Sequence, residues 1–308
     1  MHKIFIDGSN GTTGLRIRER LSQRSDLELL SLPEETRKDP AARKEILNAC
    51  DVALLCLPDA AAVEAVEMIE NPHVRVLDTS TAHRTNPDWV YGFPELSREQ
   101  RAAILKSGRI AVPGCHASGF IALVHPLVKA GALPADALLS CHSITGYSGG
   151  GKKMIAEYRD ADRDICLDSP RQYGLTQQHK HLKEMQCITG IEYAPIFSPI
   201  VSDFYSGMVV TVPLFRQQLR SGAGIEDVRA IYEKTYSGPV VFCADKSEGG
   251  FLAGNAAAGT DRMHIHVHGN AERILLTACY DNLGKGASGA AVQLLNLILG
   301  TDETEGLE

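Results

Sequence analysis

A glycine turn near the N-terminus limits the possible folds of this 308-residue chain more than any other feature. An apolar segment at 3–7 predicts a short strand, and Gly8-Ser9-Asn10-Gly11-Thr12-Thr13-Gly14 follows it, before a segment at 15–21 with the apolar spacing of a helix. In this order, backbone amides at the helix N-terminus can hold the pyrophosphate of a dinucleotide. The spacing is GxxGxxG and not GxGxxG, so a purely structural turn is the alternative. We predict that residues 8–14 bind a dinucleotide.

Strands and helices alternate along the first third of the chain. The apolar patterns predict strands at 27–32, 51–57, 74–77 and 110–112, and helices at 41–49 and 60–69. Such alternation is typical of an α/β fold with a doubly wound sheet, which binds its ligands at the carboxyl ends of the strands.

The residues after the second predicted strand decide which nicotinamide cofactor fits. A carboxylate there usually binds the ribose hydroxyls of NAD, whereas a cation would bind the 2′-phosphate of NADP. Ser31 ends this strand, Glu34 and Glu35 come next, and Arg37 and Lys38 follow. The pattern is mixed, and we expect NADP(H), with Ser31 as one of its contacts.

Cys115 is the candidate nucleophile. It follows Pro113-Gly114, between the strand at 110–112 and an apolar stretch at 120–128 that predicts a helix. Amides of a first helical turn and the positive end of the helix dipole would lower the pKa of this thiol. The alternative is that Cys115 packs as a small apolar group, like most free cysteines.

The other cysteines show no CxxC pair and no disulfide spacing, so we expect reduced thiols. Those within apolar segments are expected to be core residues: Cys50, Cys56, Cys141 and Cys279.

Two histidines at 179–181 are candidates for proton transfer. A reaction through a thiolate needs a group with a pKa near neutrality, and histidine is the usual choice. We expect His181 to be the acid/base and His179 to bind substrate or orient its neighbour. Either histidine could instead be structural.

Two further places could hold an anion. Arg84 follows the strand at 74–77, and a guanidinium suits phosphate, although a surface arginine is the alternative. A glycine loop at 146–151 ends in Lys152, so its amides and the lysine could form a cradle with Ser148 and Gly149. A flexible linker is the other interpretation of this loop.

His264, His266 and His268 alternate in a predicted strand at 262–269, within an expected antiparallel sheet that also contains 208–214. All three would share one face, which is a metal-site spacing. No neighbouring cysteine or carboxylate completes a ligand set, so we expect a solvated or interface face and no metal.

Composition narrows the possible partners. The formal charge of −7 is spread without a basic block, which argues against nucleic acid or an anionic membrane as the main partner. No run of about 18 apolar residues is present, and we expect a cytoplasmic protein without a membrane span.

Taken together, these motifs resemble the N-acetyl-γ-glutamyl-phosphate reductase family, in particular its shorter type, through nearly the whole chain. The motifs are the glycine turn at 8–14, Asp78-Thr79-Ser80 with Arg84, Pro113-Gly114-Cys115, Ser148 to Lys152, His179-Lys180-His181, and the stretch 281–300.

The resemblance implies a Rossmann-type doubly wound sheet built from 1–115 and 282–308, with its last helix from the C-terminus. An inserted α+β domain at 116–281 would carry substrate binding and oligomerisation, as in aspartate-semialdehyde and glyceraldehyde-3-phosphate dehydrogenases. Asn282, where small residues open the last helix, is expected to contact the cofactor. A homodimer or homotetramer is expected.

The same resemblance implies the chemistry. Cys115 would attack the acyl phosphate of N-acetyl-γ-glutamyl phosphate, phosphate would leave, and NADPH would reduce the thioester to N-acetylglutamate 5-semialdehyde in arginine synthesis. His181 would move the proton. The longer type of the family usually has an arginine where this chain has 203–206, and ends its glycine loop in arginine where Lys152 stands.

Two alternatives stay open. One is a sister reductase acting on aspartyl phosphate or on an aminoadipyl analogue through the same cysteine. The other, of a different class, is a nucleotide-binding redox sensor in which Cys115 oxidises and no substrate turns over.

Overall fold

The computed structural model describes residues 1–37, 39–220, 222–244 and 250–308. Its contacts divide the chain into two compact units. The first unit contains 1–94, 99–113 and 287–307, and the second contains 95–98, 114–286 and Glu308. Lys38, one of the two cations that suggested NADP, lies outside the described residues.

The first unit is built on a parallel sheet whose described strands have the order β2-β1-β3-β4-β6-β5. The strands are β1 (His2–Asp7), β2 (Leu27–Leu30), β3 (Val52–Leu55), β4 (Arg75–Asp78), β5 (Val90–Tyr91) and β6 (Arg109–Ala111). The helices are α1 (Thr12–Leu21), α2 (Pro40–Ala49), α3 (Asp59–Glu67), α4 (Arg98–Lys106) and, from the C-terminal end of the chain, α9 (Gly289–Leu299).

Both faces of this sheet are covered by helices. Ile4 and Ile6 of β1 point into a core that includes α1 and the apolar face of α9. Phe5 points to the opposite face and packs with residues of α2 and α3. Because each fully buried aliphatic or aromatic side chain contributes roughly 1.5–3 kcal/mol, the two faces together specify this layered arrangement. The predicted doubly wound sheet and the C-terminal origin of its last helix are confirmed.

The glycine turn lies at the point where the strand order reverses. β1 pairs with β2 on one side and with β3 on the other, so the chain leaves β1 at the topological switch point of the sheet. Gly8 has φ +88°, and a Cβ there would lie 2.3 Å from the carbonyl oxygen of Cys56. Only glycine fits this position.

The second unit is built on a mixed sheet whose described strands have the order β11-β12-β13-β10-β7-β9-β8. Its strands are β7 (Ser140–Gly146), β8 (Arg171–Gln172), β9 (Ile196–Ser202), β10 (Met208–Phe215), β11 (Val241–Cys243), β12 (Met263–Gly269) and β13 (Arg273–Tyr280). Its helices are α5 (Cys115–Lys129), α6 (Gly151–Arg159), α7 (His181–Thr189) and α8 (Ile225–Thr235). The antiparallel pairing of β10, β13 and β12 agrees with the expected sheet.

Helix α5 is the buried centre of this unit, although it contains a proline. Pro126 has no N–H to donate to the carbonyl of Ala122 four residues earlier. The hydroxyl of Tyr236 donates to that carbonyl at 2.7 Å and replaces the missing helical hydrogen bond. A tyrosine from just beyond α8 therefore allows the helix to continue through the proline.

The structure decides between the two interpretations of the glycine loop. Residues 147–150 form a 3₁₀ turn and Gly151 begins α6, so the loop is not a flexible linker. The helix after Pro113-Gly114 begins at Cys115 and includes the residues before the apolar stretch at 120–128. Cys50, Cys141 and Cys279 are buried as expected, and Cys56 is partly buried and packs against the apolar core.

Within the described chain, no helix has the length and apolar character needed to cross a membrane.

Candidate active site

Cys115 is the first residue of α5, and Gly114 is its N-cap. The expected place of this cysteine, at a helix start, is confirmed. The N–H and the hydroxyl of Ser118 both donate to the Gly114 carbonyl, at 2.8 and 3.0 Å. The Gly114 N–H donates to Oε1 of Glu184 at 2.8 Å. The backbone that carries the candidate nucleophile is therefore fixed by hydrogen bonds on both sides.

Tyr280 fixes the first turn of α5 from the sheet. Its buried hydroxyl donates to the carbonyl of Cys115 and accepts the N–H of Gly119 at 3.0 Å. Gly286 approaches from another side, and a Cβ at this position would lie 3.2 Å from the Cβ of Cys115. The small residues before α9 thus permit close packing against Cys115, which agrees with their sequence pattern.

The histidine pair packs against the residue next to Cys115. His181 begins α7, its N–H donates to Nδ1 of His179 at 3.2 Å, and the two ring centroids are 4.8 Å apart. The ring of His116 lies 5.9 Å from that of His179 and 5.6 Å from that of His181. The structure therefore brings both predicted histidines to the start of α5.

The environment keeps two of these imidazoles neutral. Burial lowers the pKa of His179, and the nearby charge of Lys180 lowers it further. Burial lowers the pKa of His116 to about 3, with His179 as a smaller contribution. Both rings are therefore uncharged near neutral pH.

Cys115 differs in exposure from the cysteines of the core. Cys115 is partly exposed, whereas burial raises the pKa of Cys50 and of Cys279 to about 11. These two remain thiols at ordinary pH, and only a thiolate is a good nucleophile. Cys166 and Cys187 are exposed and have to be distinguished from Cys115 in any labelling experiment.

Asn282 holds the glycine turn of the second unit. Its Nδ2 donates to Oγ of Ser148 at 2.9 Å, and its Oδ1 accepts the N–H of Gly207 at 2.9 Å. Asn282 and Ser148 are buried, whereas Gly149 and Lys152 are exposed. The expected cofactor contact of Asn282 stays a prediction, and the structure adds this internal role.

Part of the predicted anion cradle is already engaged. The N–H groups of residues 146, 147 and 148 donate to the carbonyls of residues 207, 204 and 205. An anion in this loop would consequently use donors other than these three amides. The side chain of Lys152 is such a donor, and it carries a charge. The phosphate roles of Ser148, Gly149 and Lys152 stay predictions.

Arg84 is a buried residue of the first unit and not a surface arginine. Its Nε donates to the carbonyl of Val112 at 2.9 Å, and its NH2 group donates to that of Thr79 at 2.8 Å. The guanidinium thereby fixes the segment that follows β6. A role in holding phosphate stays a prediction.

The start of α1 has the features of an anion site. Gly11 is its N-cap, no acidic side chain lies in its first turn, and no side chain of the described chain caps it. A Cβ on Gly14 would lie 2.5 Å from the carbonyl oxygen of Gly8, so this approach too requires glycine. The turn therefore fits a dinucleotide phosphate.

Two of the charged residues after β2 pair with each other. Glu34 and Arg37 form an ion pair at 2.7 Å, and Ser31 is exposed one residue beyond the strand. The end of the strand itself carries no carboxylate.

His264, His266 and His268 share one face of β12, and the rings of the last two are stacked 5.5 Å apart. In the part of the chain that the structure describes, no three His, Cys, Asp or Glu side chains are grouped as metal ligands.

Comparison with known proteins identifies the family. Residues 30–104 match the family model "Semialdehyde dehydrogenase, NAD binding domain", and residues 115–282 match "Semialdehyde dehydrogenase, dimerisation domain". N-acetyl-gamma-glutamyl-phosphate reductase 2 of Pseudomonas putida is 46% identical over 98% of both chains. The reductase of Brucella ovis is 45% identical over 97% of this chain and 99% of its own. This chain belongs to the N-acetyl-γ-glutamyl-phosphate reductase family.

Solved structures show that this chain shares its fold with aspartate semialdehyde dehydrogenases. Aspartate semialdehyde dehydrogenase II from Vibrio cholerae has a TM-score of 0.73 at 18% identity, covering 97% of this chain and 98% of that one. The Candida albicans aspartate semialdehyde dehydrogenase, solved with NADP, has a TM-score of 0.67 at 16% identity, covering 98% and 99%. At these identities the likeness concerns the fold, which matches the expected Rossmann sheet with an inserted α+β domain.

Sequence reasoning missed several residues of the site: His116, Tyr173, Glu184 and Tyr280. One of them had a visible signal, because Glu184 follows His181 by three residues and shares its helix face once α7 is recognised. The only sequence signal for His116 was its position beside Cys115. Tyr173 and Tyr280 come from distant strands and loops, so only the tertiary fold reveals them.

Proposed function

We propose that this chain catalyses the NADPH-dependent reduction of N-acetyl-γ-glutamyl phosphate to N-acetylglutamate 5-semialdehyde, with release of phosphate, as a step of arginine synthesis. One observation carries the proposal: Cys115 begins α5, and the His179–His181 pair packs against the next residue of that helix. A candidate nucleophile and two candidate proton carriers thus lie at the start of the same helix in a chain of this family. The proposed reaction uses both kinds of group.

In the first step, the thiolate of Cys115 attacks the acyl carbon. The bond between this carbon and the phosphate oxygen breaks, phosphate leaves, and a thioester forms. When bound, NADPH supplies the hydride that reduces the thioester carbon. The carbon–sulfur bond then breaks, the semialdehyde forms, and the thiolate of Cys115 is restored. The covalent intermediate divides one difficult reduction into two easier steps.

The oxygen of the acyl group gains negative charge in both steps and needs fixed donors. Because Tyr280 and Glu184 hold the first turn of α5, its amides are pre-organised before substrate binds. Donors that do not reorganise during the reaction give the largest electrostatic stabilisation. The amides beside Cys115 are the donors we assign to this task.

His181 is the acid/base in this proposal, and His179 orients it. The Nδ1 atom of His179 accepts the backbone N–H of His181, which requires that this nitrogen carry no proton. The lowered pKa of His179 agrees with this state, because a neutral imidazole keeps a lone pair. His181 is then the residue that accepts and donates the proton during the reaction.

NADP is the proposed cofactor, bound by the turn at 8–14 in the dinucleotide-binding domain that we assign to 1–115 and 282–308. The exposed Ser31 beyond β2 supports NADP over NAD. A carboxylate at the end of this strand would repel a 2′-phosphate, and the strand end carries none. Arg84, Ser148, Gly149 and Lys152 are proposed phosphate contacts, and Asn282 a cofactor contact.

The dimerisation domain carries an exposed apolar face. Ile144, Ile196, Phe215 and Leu275 all project from the same side of the second sheet, as the strand register shows, and are 39–66% exposed. We propose that a second copy covers this face in a homodimer or in a homotetramer built from dimers. The eight free cysteines suit a reducing compartment, so we place the enzyme in the cytoplasm.

The reaction is tested most simply in reverse. Purified protein is mixed with NADP and phosphate, and NADPH formation is followed with N-acetylglutamate semialdehyde, aspartate semialdehyde or the aminoadipate analogue as substrate. We expect phosphate-dependent turnover with a clear preference for the acetylated glutamate semialdehyde. A preference for either other aldehyde would assign the sister reaction, and no turnover with any of them would support the redox sensor.

A further inference from the structure

His116 occupies an unusual position beside the candidate nucleophile. It is the second residue of α5 and is 4% exposed. Its Nδ1 lies 2.6 Å from Oγ of Ser143, and its Nε2 lies 2.7 Å from the hydroxyl of Tyr173. Ser143 belongs to β7, and Tyr173 directly follows β8, so one imidazole joins two strands to the start of α5.

The hydrogen bonds of His116 are coupled through its ring. Burial lowers its pKa to about 3, so near neutral pH the ring is neutral, with one N–H and one lone pair. Each partner is a hydroxyl that can either donate or accept. The ring therefore donates to one hydroxyl and accepts from the other, and the three groups form a continuous chain from Ser143 to Tyr173.

Tyr173 lies at the start of α5. Its hydroxyl is hydrogen-bonded to the residue next to Cys115, and its ring centroid is 6.1 Å from that of His179. Burial raises the pKa of its phenol, so Tyr173 keeps its proton at physiological pH. If Nε2 of His116 donates to the tyrosine oxygen, the phenolic proton is available to the reacting sulfur or to the acyl oxygen bound to it.

The same ring supports the histidine pair. The centroids of His179, His181 and Phe197 lie 5.9, 5.6 and 5.4 Å from that of His116. An apolar side chain could fill this space, but it could not hold a hydroxyl on each side. The presence of histidine at a buried position is therefore explained by its two hydrogen bonds.

We propose that His116 is a positioning residue that holds the hydroxyl of Tyr173 at the start of α5, in an orientation in which the hydroxyl donates toward Cys115. The inference rests on the proposed function, because it assigns a task in the reaction at Cys115. His116 touches no reacting atom in this account and acts through Tyr173.

The chain offers a matched pair of variants. In His116→Gln, the side-chain amide reaches the place of Nε2 and keeps the bond to Tyr173. In His116→Asn, the shorter amide reaches the place of Nδ1 and keeps only the bond to Ser143. The two variants have the same chemistry and differ in which hydroxyl they hold.

We expect His116→Gln to retain kcat within about threefold and His116→Asn to lose about 10- to 100-fold in kcat, with KM changed less than about twofold. The loss of kcat in Tyr173→Phe should match that in His116→Asn. The double variant that combines these two substitutions should have a kcat no lower than that of Tyr173→Phe alone. Equal losses in the Gln and Asn variants, a loss confined to KM, or additive losses in the double variant would overturn the proposal.

A second measurement needs no substrate. The rate of iodoacetamide labelling of Cys115 is followed against pH, with peptide mass spectrometry to separate it from Cys166 and Cys187. We expect the midpoint of this pH dependence to move upward by about 0.5–1 pH unit in His116→Asn and in Tyr173→Phe. In His116→Gln it should stay near the wild-type midpoint. An unchanged midpoint in Tyr173→Phe would refute the donor role.

The two measurements distinguish the proposed reaction from the positioning role of His116. If the unmodified protein turns over none of the aldehydes while the labelling shifts occur as expected, the proposed reaction fails and the positioning role stands. If turnover is normal and neither the kcat differences nor the labelling shifts appear, the reaction stands and the positioning role fails.

Discussion

The buried carboxylate of Glu184 accepts the backbone N–H of Gly114 at 2.8 Å, and Gly114 is the residue immediately before Cys115. Glu184 lies on α7 three residues after His181, so one short helix carries both the candidate acid/base and the anchor of the nucleophile's backbone. The distance between the two reactive groups is thereby set within the second unit. The function proposed here depends on that fixed arrangement.

Removing this anchor should affect both stability and rate. Glu184→Ala leaves a buried N–H without its acceptor, which should lower the free energy of unfolding by about 1–3 kcal/mol. We expect kcat to fall about 10- to 100-fold as Cys115 loses its alignment. Glu184→Gln keeps an oxygen acceptor and should recover most of the rate. Urea unfolding and steady-state kinetics check this, and equal kcat values in the Ala and wild-type proteins would contradict it.

The glycine turn should tolerate alanine at one position and not at two others. Gly8→Ala requires φ +88° and a Cβ 2.3 Å from a backbone oxygen, and Gly14→Ala places a Cβ 2.5 Å from the Gly8 carbonyl. Each should cost about 2–4 kcal/mol of stability and weaken NADPH binding at least about tenfold.

Gly11→Ala is the matched control for these two variants. Its Cβ would lie at an ordinary 3.5 Å from the Gly8 carbonyl oxygen, so stability should change by less than about 1 kcal/mol. Thermal unfolding and fluorescence titration with NADPH provide the comparison. Three equally stable variants would show that the close approaches are absent from the protein in solution.

The two histidines of the pair should give different kinetic effects. His181→Asn removes the proton carrier and should lower kcat about 10²- to 10⁴-fold and remove one limb of its pH profile. His179→Asn should act more on KM, because His179 is expected to bind substrate. A large kcat effect for His179 with a KM effect for His181 would mean that the two roles are exchanged.

Acid should destabilise the protein through His116. Its pKa is lowered from an ordinary 6.5 to about 3 in the folded state, so between these pH values the unfolded chain binds more protons. The stabilisation is fully present above pH 6.5 and is lost as the pH falls, by up to about 1.4 kcal/mol per pH unit. His116→Gln removes this titration.

The measurement is the free energy of unfolding in urea at pH 7 and at pH 5. The lowered pKa values of His179 and His125 act in the same direction and are shared by both proteins, so the difference in slope isolates His116. A variant with the same loss of stability between these pH values as the wild type would count against a buried, neutral His116.

Local signals in the sequence predicted most strands and helices of the first unit and the place of Cys115, but not β5 or α4. Buried parallel strands give continuous apolar runs, and the turn at 8–14 combines a strand, glycines and a helix within about 20 residues. The same reasoning placed Cys115 at a helix start, because Pro113-Gly114 ends one element and an apolar run begins the next.

The second unit was harder to predict because its elements begin without ordinary signals. α7 has Lys180 at its N-cap and no capping side chain among the described residues, and α6 begins directly after glycines. α5 contains Pro126, which would normally end a helix, and only the distant Tyr236 explains why it continues. The hydrogen bonds of Asn282 to Ser148 and Gly207 also had no signal in the sequence, because they join segments far apart in the chain.

The central claim is that the sulfur of Cys115 carries the acyl group. The most direct test mixes the protein with N-acetylglutamate semialdehyde and NADP without phosphate, and follows NADPH in the first turnover together with intact and peptide masses. We predict a burst of about one NADPH per active site and an added N-acetylglutamyl group on the peptide of Cys115, both absent in Cys115→Ser, which should still fold and bind cofactor. A wild-type protein that turns over with phosphate but shows no burst and no adduct, or a Cys115→Ser variant that keeps substantial turnover, would contradict it.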